Sequence, residues 1–240
     1  MVRFRDRRHA GEVLAQRLAP WIGRTGVVLA LPRGGVPLAA VVAPRLRMPL
    51  DLIIPRKIGH PHNPEYAVAA VVESGARAIN SVEVAGLDPG WFEQAVARAQ
   101  QEALRRRRCY LGERSPCALE GKAVILVDDG IATGLTMEAA IQDAKARGAQ
   151  ELVVAVPVVP ADTARRLARM VSQVVAVEIA EHYLGAVGAY YDDFSQLSDQ
   201  DVIELLKQAA PAAPSWHAGA VESEFMASVS ESEWRGAVTA

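Results

Sequence analysis

The sequence predicts an α/β protein, a mostly parallel sheet flanked by helices. Three observations carry that expectation. Short β-branched and aliphatic runs alternate with helical patterns from Val27 to Ile179. One of those runs, Ala123 to Val127, is apolar at every position, as a strand buried on both faces must be. At 240 residues, the chain also has the length of one α/β domain with appended elements rather than of two catalytic domains.

Taken in order, Val27 to Leu31 reads as a strand, and a Pro-Arg-Gly-Gly-Val-Pro turn leads from it into a helix over Leu38 to Arg45. Asp51 to Pro55 is a second strand. Gly59 to Pro64 is rich in Gly, His, Pro and Asn and reads as a loop; apolar Ala67 to Val72 follows it and breaks at Ser74-Gly75. Pro89 suits the first turn of a helix, and Trp91 to Leu111 has the composition and length for one. After the apolar strand, a helix from about Thr136 to Arg147 ends at Gly148, a favourable residue just past a helix. Glu151 to Val156, Ala161 to Met170 and Gln173 to Ile179 continue the series as strand, helix and strand. Asp199 to Ala209 is an amphipathic helix with Ser198 as its cap and Asp201 in its first turn. From Pro211 to Ala240 the Ala, Ser, Glu and Pro content without periodicity predicts a disordered tail, with Trp216, Phe225 and Trp234 scattered through it. The expected domain is therefore 1–210, with a core of about 27–180.

Composition narrows the function classes. Half the residues are hydrophobic and 22% are charged, an ordinary soluble balance, and the net charge of −2 gives no reason to expect nucleic acid. Cys109 and Cys117 match neither a metal nor a disulfide pattern and read as free thiols. The basic stretch Met1 to Arg8 is not followed by the apolar region of a secretory signal. No run approaches the ~20 apolar residues that span a bilayer, so no membrane partner and a cytoplasmic location are expected. His60 and His62 lack an evident third ligand. The run Arg105 to Arg108 is expected at the exposed end of a helix.

The informative stretch is AVILVDDGIATGLTMEAA, residues 123–140. A buried strand ends in Asp128 and Asp129, a small-residue loop follows, and a helix opens near Thr136. In open parallel sheets, ligands bind outside the carboxyl ends of the strands. The loop Gly130, Ile131, Ala132, Thr133, Gly134, Leu135, Thr136 can turn amides inward at a helix start, where a phosphate fits, with hydroxyls from Thr133 and Thr136. Two carboxylates would repel that phosphate, so they need another task. They suit the vicinal hydroxyls of a ribose and can reach a hydrated Mg²⁺. Phosphate beside a diol means a sugar 5-phosphate. Neither a Walker A lysine nor a GxGxxG dinucleotide loop is present.

This stretch resembles the signature by which type I phosphoribosyltransferases bind 5-phosphoribosyl-1-pyrophosphate (PRPP), and the likeness covers about Val27 to Ile179. It implies the type I phosphoribosyltransferase fold, with a flexible loop and a small C-terminal hood over about 181–210. By the resemblance Asp128 and Asp129 hold the ribose hydroxyls, and reach metal through water, while residues 130–136 hold the 5-phosphate. Arg33, Gly34 and Gly35 resemble the family's pyrophosphate loop, which often carries a cis peptide. Arg56 and Lys57, at a strand end, resemble its pyrophosphate-contacting pair. The segment from Ile58 to about Val72 would be the mobile catalytic loop, with Glu65 of Glu65-Tyr66 placed to move a proton from the acceptor nitrogen. PRGG, PRKIG…NPE and YDDFSQLSD are similar to segments of a group of bacterial phosphoribosyltransferase-domain proteins.

The implied chemistry is displacement of pyrophosphate from the anomeric carbon by a nitrogen acceptor, through a transition state of oxocarbenium character. Mg²⁺ is the expected cofactor. Tyr191, Asp192, Phe194 and Gln196 in the hood are candidates to stack on and hydrogen-bond a base; the alternative is that they shape a turn and anchor the last helix. No acceptor is named by any motif. A homodimer is kept open, and so is a non-catalytic sensor of PRPP or nucleotide built on the same fold.

Overall fold

Helix α1 (Arg7–Arg17) starts where the Asp6 carboxylate accepts the His9 amide at 2.7 Å, an N-cap that satisfies one of the free donors of the first turn. The computed structural model describes residues 2–209; the tail expected from Pro211 onward lies outside them. Strand β1 (Gly26–Ala30) runs into α2 (Gly35–Leu46), and β2 (Leu50–Leu52) follows. Next come β3 (Arg56–His60), β4 (Asn63–Val71) and β5 (Arg77–Ile79), then the short α3 (Ser81–Val84) and the long α4 (Pro89–Leu111). The Asp88 side chain caps α4 by accepting the Trp91 amide at 2.7 Å, with Pro89 just inside as the sequence predicts. Strand β6 (Ala123–Val127), α5 (Leu135–Ala146), β7 (Glu151–Pro160), α6 (Ala161–Ala168), β8 (Gln173–Ala180) and α7 (Asp199–Ala209) complete the order. Ser198 and Asp201 cap α7 reciprocally: the Asp201 amide donates to Ser198 Oγ (3.1 Å) and the Ser198 amide to Asp201 Oδ2 (2.7 Å).

The main sheet is parallel throughout, in the order β2-β1-β6-β7-β8. All five residues of β1 and of β6 are buried, and their side chains divide between two cores. Val28, Ala30, Ile125 and Val127 face α1, α2 and α7; Val27, Leu29, Val124 and Leu126 face α5 and α6. That period of two, apolar on both sides, is why these strands read as unbroken hydrophobic runs. From β1 the chain turns toward β2, and from β6 toward β7, so the order reverses between β1 and β6. Their carboxyl ends therefore flank the crevice where ligands bind in such sheets.

Three expectations need correction. The segment from Ile58 to Val72, expected as a loop, is an antiparallel hairpin. It pairs β3 with β4 around a tight turn at Pro61-His62, and β5 adds a third strand. Its base is held by burial, since Ile58, Val68, Ala69 and Val71 pack with Phe92 and Val96 of α4. The strand expected over Asp51 to Pro55 ends at Leu52. The run Arg105 to Arg108 is not simply a solvated helix end. Arg107 is buried, donating to both carboxylate oxygens of fully buried Asp51 (3.1 and 3.3 Å) and to the Leu52 carbonyl (2.9 Å). Among the described residues, no helix is long and apolar enough to cross a membrane.

Candidate functional site

The two aspartates stand where β6 ends, and the turn after β1 closes on them. Gly34 and Gly35 permit that approach. A Cβ on Gly34 would lie 2.0 Å from Asp129 Oδ2, and one on Gly35 would lie 2.4 Å from the Val127 carbonyl oxygen. The Pro32–Arg33 peptide is cis. Gly35 spends its amide inside the turn, donating to the Leu31 carbonyl (2.9 Å), so the two glycines serve here as points of close packing.

A cavity of about 410 Å³ opens beside the aspartates. One wall is the loop after β6: Gly130, Ile131, Ala132, Thr133, Gly134 and Thr136 line it, and Leu135 does not. The loop is braced from outside. Thr163 Oγ1 of α6 donates to the Ala132 carbonyl (3.2 Å), Arg166 donates to the Thr133 carbonyl, and the Ile131 amide bonds the Val158 carbonyl at 2.9 Å. With Gly134 at φ +89° the chain then turns into α5, whose first-turn Thr136 lines the same space. Arg56, Lys57 and Arg106 form a basic wall, and Leu31, Pro32, Pro55 and Val187 complete the lining. Burial and the neighbouring Arg106 lower the Arg56 pKa.

The acid pair is asymmetric. Asp129 is held by Arg7 of α1, whose Nε donates to Oδ2 at 2.8 Å with both side chains mostly buried. Asp128 accepts the Asp129 amide at 2.9 Å. Burial and the charge of Asp129 push the Asp128 carboxyl well above the usual carboxylate range, only partly opposed by Lys57 and Arg7. Burial also raises Asp129, and Arg7 pulls it back.

Arg7 reaches further. Its Nη1 donates to the Ser195 carbonyl (2.7 Å), and its guanidinium lies 3.8 Å from the centroid of the Phe194 ring. The segment after β8 is thus tied to α1 and to the acids together. Phe4 and Tyr191 form a parallel bridge with rings 5.4 Å apart, and Tyr191 Oη donates to the Asp129 carbonyl at 2.6 Å. Burial and Asp129 raise the Tyr191 hydroxyl well above its ordinary pKa. The buried Tyr183 hydroxyl, on a ring stacked 5.8 Å from Tyr190, has no partner among the described residues.

Of the residues the sequence singles out, Asp128, Asp129, Arg56, Lys57 and all of 130–136 but Leu135 converge on one cavity. Arg33 does not line it; its guanidinium is 3.9 Å from Asp199 at the start of α7. Glu65 is exposed on β4, outside the lining. Tyr191, Asp192, Phe194 and Gln196 are also outside it. Tyr191 and Phe194 anchor the segment, Asp192 pairs with Arg3 on the surface, and Gln196 is exposed. The sequence reading missed Arg7, Arg106 and Val187. None of the three left a local trace; even Val187, whose Cγ1 would lie 2.5 Å from a Cβ on Gly130, is far from that glycine in sequence.

In sequence and in fold the chain is matched by known proteins. The family model "Phosphoribosyl transferase domain" matches residues 7–193, and the chain belongs to that family. It is 42% identical over 208 residues to two Mycobacterium tuberculosis proteins, from strains CDC 1551 and H37Rv, named as proposed phosphoribosyl transferases. Those matches cover 86% of this chain and 47% of each relative, so the chain spans about half the length of the curated relatives it matches. Among solved structures it is similar to TT1426 from Thermus thermophilus, with 43% identity and a TM-score of 0.74, covering 88% of this chain and 100% of that one.

Proposed function

We propose that the chain is a PRPP-dependent phosphoribosyltransferase, transferring the 5-phosphoribosyl group to a nitrogen acceptor with release of pyrophosphate. The observation that supports this best is the single cavity in which a helix-start loop faces a basic wall, with two carboxylates beside both. Those are the three chemistries that PRPP presents, a terminal phosphate, a diol and a pyrophosphate.

In this reading the amides and hydroxyls of residues 130–136 hold the 5-phosphate. Asp128 and Asp129 accept the ribose hydroxyls, and Arg7 keeps Asp129 oriented. Arg56 and Lys57 stabilise charge growing on the departing pyrophosphate. Mg²⁺ would neutralise part of that charge when bound with the pyrophosphate. The residues present fit it through water, because the acid pair offers hard oxygen donors, and no group of three or more His, Cys, Asp or Glu among the described residues could cage a metal. Val187 lines the same cavity against Gly130.

The test is pyrophosphate release from PRPP with Mg²⁺ across purines, pyrimidines and small amides, with the Asp128→Asn/Asp129→Asn double variant as control. Release that depends on one acceptor and disappears in the control supports a transferase and names its substrate. No binding of PRPP overturns the reading. The exposed position of Glu65 favours one alternative, a PRPP or nucleotide sensor, and PRPP binding without turnover of any acceptor would select it.

A further inference from the structure

The four consecutive arginines of α4 have four different surroundings. Arg105 is exposed and pairs with Glu102, Arg107 is buried against Asp51, and Arg108 is exposed. Arg106 alone of the four lines the cavity, beside Arg56 and Lys57. Its Nε donates to Glu102 Oε1 at 2.9 Å, which fixes the guanidinium plane; its two Nη groups have no hydrogen-bond partner among the described residues. Glu102 is itself shared, accepting from Arg105 at 2.7 and 3.0 Å, so it cannot neutralise both cations. The three cations of this wall also come from two elements, Arg56 and Lys57 from β3 and Arg106 from α4. Two guanidiniums and an ammonium line one space; burial first, and then the charge of Arg106, lower the Arg56 pKa. A wall of cations presented from two elements suits an anion with several charged oxygens.

We propose that Arg106 is a binding residue for the pyrophosphate end of the ligand, presenting its free Nη fork to that group as a third cation beside Arg56 and Lys57. This rests on the PRPP reading above and extends it to a residue outside the motifs that carried it. Arg107 supplies the placement: locked to Asp51 and the Leu52 carbonyl, it sets the rotation of α4 and therefore the direction of its neighbour.

The experiment measures binding of magnesium pyrophosphate and of ribose 5-phosphate by calorimetry, on the full chain and on Arg106→Gln, Arg106→Lys and Arg105→Gln. Loss of one charge-assisted contact predicts about 10- to 100-fold weaker pyrophosphate binding in Arg106→Gln. Ribose 5-phosphate binding should stay unchanged, Arg106→Lys should recover part of the loss, and Arg105→Gln should match the parent. Unchanged pyrophosphate binding in Arg106→Gln overturns the proposal while leaving the PRPP reading intact. Equal weakening of both ligands also overturns it, because it would mark Arg106 as structural. If the parent chain binds neither ligand, the PRPP reading and this proposal fall together.

Discussion

Replacing Arg107 by leucine should be among the most damaging single changes in the domain. Asp51 is fully buried, and its two carboxylate oxygens receive three kinds of donor: the Arg107 guanidinium, the Leu52 amide (2.8 Å) and the Cys117 amide (2.7 Å). Removing one partner of a buried ion pair costs about 3–5 kcal/mol, because the other charge stays desolvated and unpaired. The two amides remain and offset part of that, which places Arg107→Leu near the lower end, at about 3 kcal/mol. For a protein of this size each kcal/mol moves Tm by roughly 2–4 °C, so a fall of about 6–12 °C is expected by calorimetry. Urea unfolding supplies the free energy directly. The double variant Asp51→Asn/Arg107→Leu should lose less than the two single losses added together, with a coupling of at least about 1.5 kcal/mol, since removing the charge relieves the orphaned carboxylate. A loss below about 1 kcal/mol in Arg107→Leu, with no coupling in the cycle, would mean that the pair behaves as a solvated one and would refute this account.

Asp128→Asn should abolish the proposed transfer yet stabilise the unliganded protein, increasingly so as pH rises. Burial and Asp129 raise the folded pKa of Asp128 against the opposing Lys57 and Arg7, so the folded state keeps a proton that the unfolded chain has released. The stability tied to that proton is present at acid pH and lost as pH rises through the folded pKa, whereas asparagine stays neutral. The margin of Asp128→Asn over the parent in urea unfolding should therefore widen as pH rises above the ordinary carboxylate range; a constant margin would count against a raised pKa. Gly35→Ala should cost about 1–3 kcal/mol, because its Cβ meets backbone atoms that cannot swing away, the Val127 oxygen at 2.4 Å and Asp128 Cα at 3.0 Å. Gly86→Ala, with nothing within 4 Å of the new carbon, is the control, and equal unfolding free energies for the two would show that the turn after β1 is looser than described.

How far the fold was legible in the sequence depended on whether each signal was local. Strands β1 and β6 stood out because burial on both faces requires an unbroken apolar run. Helix α7 stood out because Ser198 and Asp201 cap it within four residues of chain. The acid pair and the phosphate loop were equally legible, since strand, carboxylates, small-residue loop and helix start are contiguous. The hairpin β3–β4 was not, because its turn and the half-exposed residues around it have loop composition, and β-pairing is decided by partners rather than propensity. The arginines show the limit most clearly. In Arg105 to Arg108 nothing local separates a solvated cation from one that balances a carboxylate 56 positions away, as Arg107 does for Asp51. Arg7 sits in a basic stretch that reads as surface charge, yet its partner Asp129 is 122 residues distant.

That distance bears on the order in which the molecule is completed during synthesis. Chains emerge and begin to fold from the N-terminal side. The sheet can acquire its middle once β6 has joined β1, but the setting of Asp129 draws on residues from both flanks of the domain. Arg7 is made before the acid pair, whereas Tyr191 and Ser195, which hold the Asp129 carbonyl and Arg7 itself, are made after it. A nascent chain can therefore carry the acid pair, and much of the sheet beneath it, well before the clasp around that pair exists. The cavity is complete only once the segment after β8, which supplies Val187 to its lining, has joined residues made long before it.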